Sequence, residues 1–202
     1  MRPLIKYIIL FLYIVNIYAQ EYWVRQPSPT TKWLMKCAFT DTLNGWAAGD
    51  SGVILHTSNA GLNWVSQNSG VDIPISYIYF LNKRLGWGLA SHMVYPASII
   101  LSTTDGGSNW SHYSYHDTLT MMTSIYFLDS LTGFMGGQWG TIWKTSDAGQ
   151  SWIKCDIDTG VYSNRTINTF SFYNYQIGFA GGGIMDAGGV IWKTTDLLRH
   201  GK

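Results

Sequence analysis

GFMGGQWGTIWKTSDAGQSW, residues 133–152, is one copy of a unit that the chain writes four times. An aromatic follows a glycine, an apolar segment ends in Thr, and an acidic turn leads in three copies to Trp. The opening glycines are Gly45, Gly86, Gly133 and Gly178, each followed by Trp46, Trp87, Phe134 or Phe179. Further on, Ile54, Ile100, Ile142 and Ile191 share a register, as do Thr57, Thr103, Thr145 and Thr194. Upstream, Cys37, Ile78, Ile125 and Phe170 lie two residues before Phe39, Phe80, Phe127 and Phe172, the spacing of one face of a strand. The opening glycines are 41, 47 and 45 residues apart, the period of one four-stranded propeller blade. The expected fold is all-β, a β-propeller of about four blades of four antiparallel strands.

In the third repeat the strands are expected over 124–128, 133–137, 141–145 and 151–155, with turns at 129–132 and 146–150. Repeats fall over 34–68, 76–113, 123–156 and 167–196, forming a single domain over 20–202. The fourth repeat has no closing Trp. Residues 22–26 do match that outer strand, since Trp23-Val24-Arg25-Gln26 parallels Trp64-Val65-Ser66-Gln67 and Trp152-Ile153-Lys154-Cys155. Trp23 precedes Gly45 by the same 22 residues that separate Trp64 from Gly86. The N-terminal strand is therefore expected to close the last blade, removing free sheet edges. The alternative is an open fragment of a larger propeller.

Residues 1–19 have the form of an export signal: Arg2 and Lys6 precede an apolar core from Tyr7 to Val15, with Ile17-Tyr18-Ala19 as the cleavage site. That core is short of the roughly 20 residues that span a bilayer, and no cysteine for a lipid anchor follows it. The expected location is periplasmic or extracellular, without a stable membrane anchor after cleavage. Losing Arg2 and Lys6 from thirteen basic residues leaves eleven against twelve acidic ones. A net charge near zero offers no field for nucleic acid. Cys37 stands where other copies have Ile or Phe and is expected to be a small buried hydrophobe, unpaired with Cys155.

The acidic turn reads TTDGGSNW from Thr103, TSDAGQSW from Thr145 and TSNAGLNW from Thr57. Its side-chain oxygen accepts from N–H groups of its own turn, glycine supplies a positive φ, and Trp packs on the blade. The expected structural positions are Asn59, Gly61 and Trp64; Asp105, Gly107 and Trp110; Asp147, Gly149 and Trp152; and Asp196. Each acid belongs to its own blade, so no carboxylate pair forms for catalysis or metal binding.

These turns resemble those of the Asp-box, or BNR, repeat propellers. Together with Phe127-Leu128-Asp129, Gly133-Phe134 and Ile142-Trp143-Lys144-Thr145, they resemble the photosystem II assembly and stability factor family over residues 22–196. The resemblance implies an exported, non-enzymatic propeller that binds subunits of an assembling membrane protein. The family has more blades and an arginine-rich patch; after residue 19 this chain has only Arg25, Arg84, Arg165 and Arg199, spread along the chain. Sialidases share the acidic turn, but their site needs several arginines converging on a carboxylate, which this spread does not supply.

No catalytic, cofactor or metal residues are expected. His112 and His116 lie on a strand end and loop without a helical pattern, and Gly181-Gly182-Gly183 precedes no helix. The expected role is a non-catalytic binding or scaffold module with a protein partner; a glycan-binding protein and a truncated fragment are the alternatives. The connections that vary in length share one end of the blades. Partner contacts are expected there from Tyr95, Tyr113, Tyr115, His116, Tyr162 and Arg165, aromatic and polar side chains suited to interfaces. The same rings could instead cover blade edges.

Overall fold

The computed structural model describes residues 23–91, 98–114, 120–158, 160, 164–185 and 188–195. Blade one holds β1 (Leu34–Phe39), β2 (Gly45–Gly49), β3 (Ile54–Thr57) and β4 (Val65–Gln67). Blade two holds β5 (Ile75–Phe80), β6 (Gly86–Ser91), β7 (Ser98–Thr103) and β8 (Ser111–Ser114). Blade three holds β9 (Met122–Phe127), β10 (Gly133–Gly137), β11 (Ile142–Thr145) and β12 (Ile153–Lys154). Blade four has β13 (Thr166–Phe172), β14 (Gly178–Gly183) and β15 (Gly189–Thr194). Every strand pairs antiparallel with its sequence neighbours inside its blade. The all-β propeller architecture is as the repeats predict.

Two local devices shape each blade. Four residues before each opening glycine, Asp41, Asn82, Asp129 or Asn174 accepts two backbone N–H groups with one side-chain oxygen, from Leu43 and Asn44 at 2.8 Å in blade one and from Gln176 and Ile177 at 2.8 Å in blade four. This fixes the turn from the first strand to the second. The opening glycine then lies under the ring of the preceding Phe. A Cβ at Gly45, Gly86, Gly133 or Gly178 would enter the ring of Phe39, Phe80, Phe127 or Phe172.

Neighbouring blades are joined by an aromatic stack whose two halves come from different repeats. Trp46 lies on Phe80 at 3.6 Å between centroids, Trp87 on Phe127 at 3.5 Å, and Phe134 on Phe172 at 4.8 Å. The indoles also donate across the junction, Trp46 Nε1 to the Gly106 carbonyl and Trp87 Nε1 to that of Ala148, each at 3.0 Å. Around each stack lie buried aliphatics, among them Ile54, Ile75 and Ile78 at the first junction. Aromatic stacking adds about 0.5–1.5 kcal/mol to what the burial itself contributes. The inner strands β1, β5, β9 and β13 meet in series, while among the described residues no comparable packing joins blade four to blade one.

Two expectations need correction. Residues 23–26 form no strand, β15 pairs only with β14 among the described residues, and Trp23 is fully exposed at 103%. Similarity to an outer strand does not seat this segment, because a strand forms only against an edge and among the described residues no strand pairs with it. Cys37 is exposed, not buried. Its counterparts Ile78 and Ile125 are covered by the preceding blade, and among the described residues no blade covers Cys37. Cys37 and Cys155 are both free thiols.

Candidate functional site

The blades present two chemically different ends. At one end lie the acidic turns. Thr103 Oγ1 donates to Asp105 Oδ1 at 2.9 Å and accepts from the Gly107 N–H at 2.9 Å, while Asp105 Oδ1 accepts from the Asn109 N–H at 2.9 Å. Thr145, Asp147, Gly149 and Ser151 repeat this geometry, and Thr57, Asn59, Gly61 and Asn63 repeat it with an amide. Gly61, Gly107 and Gly149 have φ of 84°, 88° and 90°, a region glycine enters without steric cost. Trp64, Trp110 and Trp152 stand edge-on to Phe39, Phe80 and Phe127 at about 6 Å. Asp196 lies outside the described residues.

These contacts hold the acids ionised. The Asn109 side-chain amide, with the Asn109 N–H and Thr103, brings Asp105 down from 3.8 to about 2. At Asp147 burial pushes the carboxyl up, but hydrogen bonds from Ser151 and Thr145 outweigh it and the net shift is downward. At Asp129 burial is likewise overcome, by the Thr132 and Leu131 N–H groups. Carboxylates so weakly basic make poor proton acceptors at neutral pH. Among the described residues no three His, Cys, Asp or Glu side chains gather as metal ligands.

At the other end lie the second-to-third-strand turns and the connections between blades. Tyr113 is exposed on β8, and Arg165, half-buried, immediately precedes β13 with Nη1 donating to Asn164 Oδ1 at 3.1 Å. Tyr95, Tyr115, His116 and Tyr162 lie outside the described residues.

Sequence reasoning missed Trp139 here. It occupies the turn between β10 and β11 with φ 59° and ψ 30°, left-handed values that are a true outlier for a bulky residue. It is 60% exposed. Blade one has Ser51 at the same left-handed place, φ 55°, so the signal was an indole where the parallel copy has a hydroxymethyl group. The Trp139 turn packs against β13, the strand that Arg165 precedes.

A cleft of about 900 Å³ opens between blades three and four. Phe134, Cys155, Phe172, Phe179 and Trp192 are among its lining residues, and Trp192 Nε1 donates to the Asp158 carbonyl at 2.8 Å. Burial pushes the Cys155 thiol up despite nearby Lys144, which keeps it protonated and a weak nucleophile.

Residues 15–175 match the model of the family described as photosynthesis system II assembly factor YCF48. A photosystem II assembly lipoprotein Ycf48 from Synechococcus sp. (strain CC9902) is 25% identical over 118 residues, 57% of this chain and 34% of the relative. A photosystem II assembly protein Ycf48 from Synechococcus sp. (strain JA-2-3B'a(2-13)) is 28% identical over 134 residues, 64% of this chain and 39% of the relative. Two solved structures share the fold at 22% identity. YCF48 from Cyanidioschyzon merolae has a TM-score of 0.64 over 82% of this chain and 55% of its own. YCF48 bound to D1 peptide has 0.60 over 75% and 47%. The chain thus spans between a third and just over half the length of these relatives.

Proposed function

This chain belongs to the photosystem II assembly factor YCF48 family, and from that membership we propose that it is an exported, non-catalytic binding module whose partner is a segment of another protein. The observation that carries the reading is Trp139, a large exposed ring held in a left-handed turn at the end of the blades where connections vary. Backbone strain persists where surrounding structure enforces it and clusters at ligand clamps. Rigid aromatic rings supply contact area at low entropic cost. A relative solved with a D1 peptide supports a polypeptide as the class of partner. Tyr113 and Arg165 extend the surface with a phenol and a guanidinium suited to backbone carbonyls and carboxylates. The opposite end has its acids engaged by their own turns, which supports a scaffold role for it. Residues 1–19 act as the export signal.

A photo-crosslinking amino acid placed at Trp139, and as a control at Leu131 on the acidic-turn end, tests the surface in the cells that make the protein. Position 139 should yield a crosslinked protein in the exported fraction and position 131 should not. Crosslinks from 131 alone, or equally from both, overturn the assignment. The N-terminus of the recovered chain, read by mass spectrometry, should be Gln20.

A further inference from the structure

One repeat position places a side chain beside each junction aromatic. His56 stands opposite Trp46, Ser102 opposite Trp87, Lys144 opposite Phe134 and Lys193 opposite Phe179. Blade two offers a hydroxyl there and blades three and four an ammonium group, Lys193 with Nζ 5.9 Å from the centre of the Phe179 ring. Of these groups, imidazole is the one whose ordinary titration lies between about pH 5 and 8. The position changes charge in that range only in blade one.

The junction of blades one and two hangs on Trp46. Its ring is fully buried and stacked on Phe80 at 3.6 Å, and its Nε1 donates to the Gly106 carbonyl at 3.0 Å. Gln67 Nε2 donates to the same carbonyl at 2.9 Å, and Gln67 Oε1 accepts from Trp110 Nε1 at 3.4 Å. His56 is stacked on Trp46 as well, with 4.7 Å between centroids and 25° between planes. Its Nε2 is shut off from solvent and has no hydrogen-bond partner among the described residues. Two residues away, on the same face of β3, Ile54 belongs to the buried core of this junction.

A neutral imidazole suits the site, because its proton can reside on Nδ1 and leave Nε2 a bare lone pair. An imidazolium does not, because both nitrogens then carry N–H groups and the one on Nε2 has no acceptor. Neighbouring charges are turned elsewhere. β2 and β4 carry no ionisable side chain. Tyr77 and Tyr79 of β5 pack on the second junction, and Lys36 of β1 lies over the Tyr77 ring. In the facing turns Asp105 is taken up by Thr103 and Asn109, Arg84 donates to the Thr104 carbonyl, and Lys83 acts on the Asp41 carboxylate. His112 of β8 lies against Gly70.

We infer that His56 makes the junction of blades one and two a pH-sensitive joint, closed by a neutral imidazole on Trp46 and loosened when Nε2 takes a proton from water. An N–H on Nε2 reaches solvent only if the imidazole, or the stack to which it belongs, moves. Burial holds the imidazole below the ordinary 6.5. The closed joint therefore binds the proton more weakly than the open one, so closure is fully favoured above 6.5 and is lost as pH falls from there towards the folded value. The turn at Ser51 packs on β5, so opening frees the connection end of blade one while the stack of Trp87 on Phe127 stays shut.

Exchange of the Trp46 indole hydrogen with deuterated solvent, followed by NMR on the full chain and divided by that of Trp87, tests the joint. The ratio should rise severalfold between neutral pH and about pH 5, and the rise should vanish in His56→Ser, which puts blade two's residue into blade one. Val65→Glu, at the exposed position opposite His56, sets a carboxylate beside the imidazole and should reduce the rise. The His56 ring signals should titrate with a midpoint below 6.5. A ratio that ignores pH, a rise left unchanged by either variant, or a midpoint at or above 6.5, as dominant attraction of the cation to the indole face would give, overturns the inference.

Discussion

At one position of the repeat, Ile54, Ile100 and Ile142 are buried in blades one to three, whereas Ile191 in blade four projects into solvent. At another, Ile78 and Ile125 are covered while Cys37 is not. The middle of the array and its ends therefore use the same residues for different physical ends. A blade acquires its strand ladder and its turn hydrogen bonds from itself but its core from its neighbours, which is the behaviour of a one-dimensional stack. An apolar side chain at a terminal blade contributes to stability only once something covers it.

Trp87→Ala gives the largest effect expected from this contrast. Trp87 is buried, stacked on Phe127 and hydrogen-bonded to Ala148, so its loss should cost about 3–5 kcal/mol. Phe179→Ala, at the same repeat position, should cost markedly less, about 1 kcal/mol, since the ring is 41% exposed where Trp87 is buried. Urea denaturation of both variants measures the difference. Equal losses would mean that the face of blade four is covered.

Thr103→Val sharpens the local half of the contrast. It keeps the shape but leaves the buried Gly107 N–H without its acceptor, a cost of about 1–3 kcal/mol. The same change at Thr57, in an end blade, should cost about as much, because that turn is closed within its own repeat. A much smaller loss at Thr57 would show that end blades are loosened locally as well.

The smallest effect is set by acid. Asp105 is held at about 2 by Asn109 and Thr103, and Asp41 lies below its ordinary value through the Asn44 and Leu43 N–H groups. A folded-state value below the unfolded one means stability fully present above the ordinary 3.8 and lost as pH falls through the folded value. The carboxylate contribution to the melting temperature should thus be flat from neutral pH down to the ordinary carboxylate range and fall towards pH 2, on top of a decline that begins below the ordinary 6.5 of histidine because burial holds the His56 imidazole low. Asp105→Asn should flatten part of that fall. Both carboxylates are fully exposed, so the slope is shallow and weakens further in salt.

Much of the fold was legible because each blade is closed by contacts a few residues long. Thr103 to Asp105, Gly107 and Asn109 is a pattern any reader of the chain can place, and Gly133–Gly137 was located to the residue. The turn acids Asp41 and Asp129, with Asn82 and Asn174, were equally legible in principle, standing four residues before each opening glycine; the strand pattern drew attention away from them. Trp139 was harder, since nothing in a lone Gln-Trp-Gly announces a left-handed indole until blade one's Ser51 is seen in the same conformation.

The sequence by itself determined four repeats, the order and pairing of strands within each, and turns that occupy their own acids, because those features rest on hydrogen bonds between residues near in the chain. Only the tertiary structure decided which Trp meets which Phe, why Cys37 and Ile191 are exposed while their counterparts are buried, and that Trp23 stands in solvent. Those outcomes rest on contacts such as Trp46 to Gly106 and Trp87 to Ala148, which span 60 and 61 residues. A repeat pattern specifies such a contact equally in every copy; it forms only where the next blade is present.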